Sequence, residues 1–103
     1  MEPIDGKRVE MRLREWEGRD LHVHLEVNPG AYWRNGRARL LRGHARGGGP
    51  VRVFLELDGG AGLIHADDLT HMEFSPDMLI CTGYDEHGRL ARTLEVGTAP
   101  FPM

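Results

Sequence analysis

The chain has 103 residues, 40% of them apolar and 28% charged, with a net charge of −3 from 13 basic and 16 acidic side chains. That length fits one domain, 1–103, able to bury roughly two-thirds of its unfolded surface. The composition excludes a dedicated nucleic-acid binder and a membrane span, and a single cysteine, Cys81, excludes an internal disulfide framework.

The expected elements run as follows. Asp5 is an acceptable N-cap, and Val9, Leu13 and Trp16 fall at i, i+4 and i+7, so a helix is expected over about 6–17 with that stripe against a sheet. Gly18 stands where a left-handed terminator belongs. The period then changes to two. In Asp20–Asn28, Leu21, Val23, Leu25 and Val27 share one face and His22, His24 and Glu26 the other. Asn28-Pro29-Gly30 is a turn, Ala31–Gly36 an ordered loop carrying Tyr32 and Trp33, and Arg37–Ala45 a second strand with Ala38 and Leu40 inward.

After the flexible Gly47–Pro50 connection, Val51, Val53, Leu55 and Leu57 mark a third strand, and Asp58-Gly59-Gly60 a tight turn. Ala61–Ala66 is a fourth strand, with a bend or bulge at Asp67-Asp68 before Leu69–Phe74. Ser75-Pro76-Asp77 is a further turn, and Met78–Tyr84 and Arg89–Val96 form a hairpin around Asp85–Gly88. One helix and five to six strands describe a mostly β chain, a small closed or half-closed barrel over about 20–96 with an apolar tail over 97–103 that packs back or docks on a neighbour. The start lacks the basic and apolar stretches of a signal peptide, so a cytoplasmic location is expected.

Three groups of residues carry candidate chemistry. His22, His24 and Glu26 place two imidazoles and a carboxylate on one strand face, ligand types that suit zinc or iron. Residues two apart on a strand are separated by about 6.5–7 Å, however, so a shared divalent metal needs a ligand from elsewhere, such as His65 or His71. The bland alternative is a polar strand face paired across to arginines. His71, with Thr70, Asp67 and Asp68 nearby, suggests a polar cluster in which an aspartate orients an imidazole. The other reading is a histidine held by backbone beside a bulge. Cys81, between apolar neighbours, is expected in the core.

The third group is a stripe of six arginines without an acid between Arg34 and Arg52, followed from Val53 onward by nine acids and two bases. Arg37 and Arg39 share a strand face, and Arg42 follows. With Tyr32 and Trp33 close by they can hold phosphate or nucleic acid, or can pair with the acidic second half. Nucleic acid is the less favoured partner. Such segregation of charge equally suits self-association, with a dimer favoured. The chain has no glutamine and only Asn28 and Asn35 as asparagines, which fits a thermophile and equally a codon bias.

Taken together, an amphipathic helix, His24-Leu25-Glu26, Gly30-Ala31-Tyr32, Arg34-Asn35, Gly49-Pro50, Ile64 with Ala66, Leu69-Thr70-His71 with Glu73, and then Gly83, Asp85-Glu86, Gly88, Leu90-Ala91, Leu94-Glu95, Thr98 and Pro100-Phe101 resemble, in order and spacing, the YojF-like family of small bacterial proteins. The resemblance implies a mostly β protein with an N-terminal helix. It supplies no activity, and it implies a possible partner, a deacetylase of bacillithiol biosynthesis. His24, Glu26, Tyr32 and His71 fall at matching positions and form the candidate ligand site; His22 and His65 depart from the pattern. The function expected is thus a non-catalytic accessory or binding module. A metal-binding protein or small metal-dependent enzyme built on His24, Glu26 and His71 is the alternative, and a nucleic-acid-binding barrel using the Arg34–Arg52 stripe the second.

Overall fold

The computed structural model describes residues 1–102; the last residue of the expected tail, Met103, lies outside them. The chain order is β1 (Glu2–Pro3), α1 (Gly6–Glu15), β2 (Asp20–Val27), β3 (Ala31–Arg46), β4 (Val51–Leu57), a 3-10 turn (Asp58–Gly60), β5 (Gly62–Leu69), β6 (His71–Ser75), β7 (Met78–Tyr84) and β8 (Leu90–Gly97). The strands form one antiparallel sheet in the order β1-β6-β7-β8-β2-β3-β4-β5, curled so that β5 comes back toward β7 and β8. This is an eight-stranded half-barrel, not a closed barrel of five or six strands.

The extra strands have local causes. Ala31–Gly36 is not a loop: it continues β3 to sixteen residues, pairing Ala31, Tyr32 and Trp33 with Val27, Glu26 and Leu25. The turn residues Asn28-Pro29-Gly30 reverse the chain at once, leaving the following residues in register with β2. The strand bulges where Trp33 and Gly36 face Leu25 and Val23, with Asn35 in the left-handed region at φ 47°. Glu2–Pro3 adds a short edge strand on β6. Thr70, whose N–H donates to Thr82 O at 2.7 Å, splits the expected Leu69–Phe74 strand. β5 extends through the expected bulge: Val51 pairs with Leu69 but Val53 with Ala66, and Asp68 sits at φ 53°.

Two long stretches turn the corners of the curl. β3 pairs with β2 through Arg39 and with β4 from Leu40 onward, and β5 passes almost directly into β6. The helix fills the space between them. Asp5 caps it by accepting from the N–H of Lys7 and Arg8, and Gly18 at φ 83° turns the chain back into β2. The helix ends at Glu15, about two residues earlier than expected. Val9, Leu13 and Trp16 are buried as the spacing requires. Gly43 is what lets the helix lie close, since a Cβ there would sit 2.6 Å from Leu13 Cβ.

Where β2 no longer covers β3, helical residues take over: Glu10 accepts from the Ala45 N–H at 3.3 Å. On the other side Arg12 donates to the carbonyls of Ser75 and Met78 at 2.7 and 3.0 Å. One apolar cluster results, with Leu21, Val23, Val53, Leu55, Leu79, Cys81, Leu94 and Val96 meeting the helix stripe. No helix among the described residues is long and apolar enough to cross a membrane.

Candidate functional site

The inward faces of β2, β7 and β8 are committed to this core, so the outward face carries the polar chemistry. Residues opposed in antiparallel strands point the same way. Outward from β2 stand His22, His24 and Glu26, as the alternation requires. His24 Nε2 lies 3.3 Å from Glu26 Oε1, and Asn28 Nδ2 donates to Glu26 Oε2 at 2.8 Å. The Asn28 hydrogen bond holds the Glu26 carboxyl below its usual range, against partial desolvation, and the His24 ring and Arg34 add to the effect. Tyr32 stands directly opposite Glu26 on β3, exposed, with the Arg34 guanidinium 4.5 Å above its ring centre.

The C-terminal tail closes this arrangement from above. Asn35, held in the bulge of β3, clamps it twice: its Nδ2 donates to Phe101 O and its Oδ1 accepts from Phe101 N, both at 2.7 Å. The Phe101 ring lies over Gly97, where a Cβ would come within 3.2 Å of it. The tail thus packs on its own sheet. Between tail and sheet is a cleft of about 160 Å³ lined by His24, Arg34, Asn35, Glu95, Phe101 and Pro102. Glu95 pairs directly with His24 across β8. His24 is therefore bracketed by two carboxylates, and its side chain is only 13% exposed. Sequence reasoning left Asn35 and Glu95 out of the site. The Asn35-Gly36 dipeptide is a signal for a local chain break, and Glu95 follows the outward period of β8.

His71 does not join this group. Glu26, Thr93, Thr82 and His71 lie in one cross-strand row on the same outward face, and three strand spacings separate the ends of that row by roughly 14 Å. The His71 ring is engaged locally, Nδ1 to Thr70 Oγ1 at 2.8 Å and edge-on to Tyr84 at 5.3 Å between centroids. The aspartate expected beside it pairs elsewhere: Asp67 Oδ1 meets His65 Nε2 at 3.0 Å. His22, opposite Arg37 and Gly97, keeps a buried Nδ1 without a partner. Among the described residues no three His, Cys, Asp or Glu side chains converge as a metal site would require, so His22, His24 and Glu26 stand in line and do not converge.

The arginine stripe is divided by the curl. Arg37 and Arg39 share the outward face beside β2, where Arg39 binds Asp20 at 3.1 Å and holds that carboxyl low by hydrogen bonding. Arg42 lies beyond the corner, opposite Glu56, and lines a groove with Arg14, Glu17, His44 and Arg46. Arg46 is bonded to Glu10. Among the described residues, the acids that pair with the stripe come from the helix and β2, before it in the chain, and not from the acidic second half. Cys81 is fully buried, and burial pushes its thiol up to about 12. The hydroxyl of Ser75 faces Asp77 Oδ1 at 3.1 Å.

Comparison with known proteins agrees with this fold. The family described as "Protein of unknown function (DUF1806)" matches residues 27–101. The uncharacterized protein YojF of Bacillus subtilis (strain 168) is 28% identical over 118 aligned positions that cover 100% of both chains. The crystal structure of the Bacillus subtilis YojF protein superposes with a TM-score of 0.89, covering 99% of this chain and 97% of that one.

Proposed function

The chain belongs to the DUF1806 family of proteins of unknown function, and on that footing we propose that it is a non-catalytic accessory module that acts as a homo-oligomer and binds a partner protein or small ligand through the outward face of β2, β3 and β8. The observation that carries this reading is the cleft over His24, built from Arg34, Asn35 and Glu95 and roofed by Phe101 and Pro102. It places a carboxylate, a guanidinium and an imidazole around a small space, a pattern suited to orienting a polar group. The imidazole there is engaged with a carboxylate. The thiol and the serine hydroxyl lie elsewhere, one buried and the other facing Asp77, and the groups in the cleft support a recognition site. The deacetylase of bacillithiol biosynthesis implied by the family resemblance is the first partner to test.

Native mass spectrometry of the untagged chain, alone and mixed with such a deacetylase, is the test. A mass of two or more times 11.6 kDa, or a mixed complex weakened by Glu95→Gln, supports the module. A bare monomer that ignores the deacetylase overturns the reading, and a metal-sized excess lost in His24→Ala replaces it with a metal-binding protein.

A further inference from the structure

A second cleft opens on the opposite face of the sheet, where the half-barrel fails to close. It lies between β2, β8 and β5, is about 290 Å³ in volume, and is lined by Leu25, Val27, His65, Ala66, Asp67, Asp68 and Arg92. That is the small end of the range of ligand pockets. Its walls are of unlike kinds. Leu25, Val27 and Ala66 form an apolar side. Arg92 and the two aspartates supply opposite charges.

Arg92 breaks the pattern of its strand. Val96 and Leu94 point inward from β8 into the core, and the next inward position, opposite Val27, is this half-buried arginine. A cation where the alternation calls for an apolar residue is a local violation of the kind that marks a functional position. Among the described residues Arg92 makes no ion pair, although a half-buried guanidinium gains most from a bidentate anion. Asp68, by contrast, is an exposed residue of the cleft lining. Asp67 is engaged by His65 at 3.0 Å, but Asp68, placed by its left-handed backbone at φ 53°, has no ion-pair partner among the described residues. Gly83 makes room for the Asp68 main chain and the stem of Arg92: a Cβ there would overlap the Asp68 backbone carbonyl and come within 2.9 Å of Arg92 Cγ. The fold brings a free cation and a free anion to one apolar-walled cleft and leaves them unpaired.

We infer that this cleft binds a small zwitterion of amino-acid size, its carboxylate on Arg92, its ammonium on Asp68 and its apolar body against Leu25, Val27 and Ala66. The ligand bridges two charges that the chain itself does not join. Each end is recognised by a charge-assisted hydrogen bond, so removal of either end weakens binding by about tenfold or more. The site is separate from the outward cleft over His24.

The test is amide NMR on the full ¹⁵N-labelled chain, titrated with L-leucine, with 4-methylpentanoate (no amine) and with 3-methylbutylamine (no carboxylate). L-leucine is expected to give saturable shifts at Leu25, Val27, Ala66, Asp68 and Arg92, and each half-molecule to bind about tenfold or more weakly. Asp68→Asn keeps a residue that tolerates positive φ; it should weaken leucine and leave 4-methylpentanoate unchanged. Arg92→Met should lose both carboxylates. If Arg92→Met loses its folded spectrum, the Asp68→Asn comparison decides alone. Absence of saturable shifts with leucine overturns the inference. So does equal binding of leucine and either half-molecule, which would make the cleft a site for a single charge.

Discussion

Asn35 shows how much one side chain decides here. It occupies a left-handed backbone position that asparagine tolerates better than most residues, and its amide makes two bonds to Phe101, one donated and one accepted. Replacing it with alanine removes both bonds and adds backbone strain. Asn35→Ala should cost about 1–3 kcal/mol in urea unfolding and should speed amide exchange at Phe101. An unchanged exchange rate there would show that the tail is held by the Phe101 ring alone. Glu26 makes a second prediction at this scale. Its folded carboxyl lies below the ordinary value of 4.5, chiefly through Asn28. A depressed acid stabilises the fold above its unfolded pKa, and that contribution is lost as pH falls through the lower folded value. Stability should therefore decline from about pH 4.5 downward, and the decline should be shallower in Glu26→Gln, as read from urea midpoints across that range.

Among the elements, the helix and β3 depend on one close approach. A methyl group on Gly43 would press on Leu13 Cβ and Cδ1 at 2.6 and 2.8 Å, so Gly43→Ala must push the helix off the sheet. The expected loss is about 1–3 kcal/mol. Gly48, in the β3–β4 connection, meets nothing within 4 Å among the described residues, and Gly48→Ala should change stability by no more than about 0.5 kcal/mol when both variants are followed by thermal melts. Equal effects at the two sites would mean that helix contact is not what Gly43 protects. The bulge at Asp67-Asp68 was legible from paired acids before an apolar run, and the structure finds it there. The β3 bulge was missed because Tyr32, Trp33 and Asn35 lack the simple alternation that identifies a strand.

For the whole molecule, the curled sheet and its helix enclose Cys81 completely, and burial raises its thiol to about 12. Alkylation of the native protein at neutral pH should therefore require opening of the core, because only exposed thiolate reacts. Mass spectrometry after iodoacetamide treatment should show no adduct in buffer and one per chain in denaturant. Rapid modification of the native protein would place Cys81 in a region that opens by itself. The open side of the curl is also what creates the cleft at Arg92, since a closed barrel would have packed those inward positions against one another.

Sequence alone determined what depends on near neighbours. The 3.6-residue period of Val9, Leu13 and Trp16 gave the helix and its buried stripe, the two-residue period placed His24 and Glu26 outward together, and glycines and aspartates marked most turns. Family membership was also legible, because the order and spacing of short motifs are properties of the sequence itself. Strand order was not, because pairing joins residues far apart in the chain, and alternation says which face a residue is on but not which strand lies beside it. That order put His71 three strands from Glu26, gave Glu95 to His24 and left the sheet open, and the docking of the helix gave Glu10 to Arg46. Whether side chains on one face meet is settled by lateral hydrogen bonding across the sheet, a long-range choice that only the tertiary structure makes.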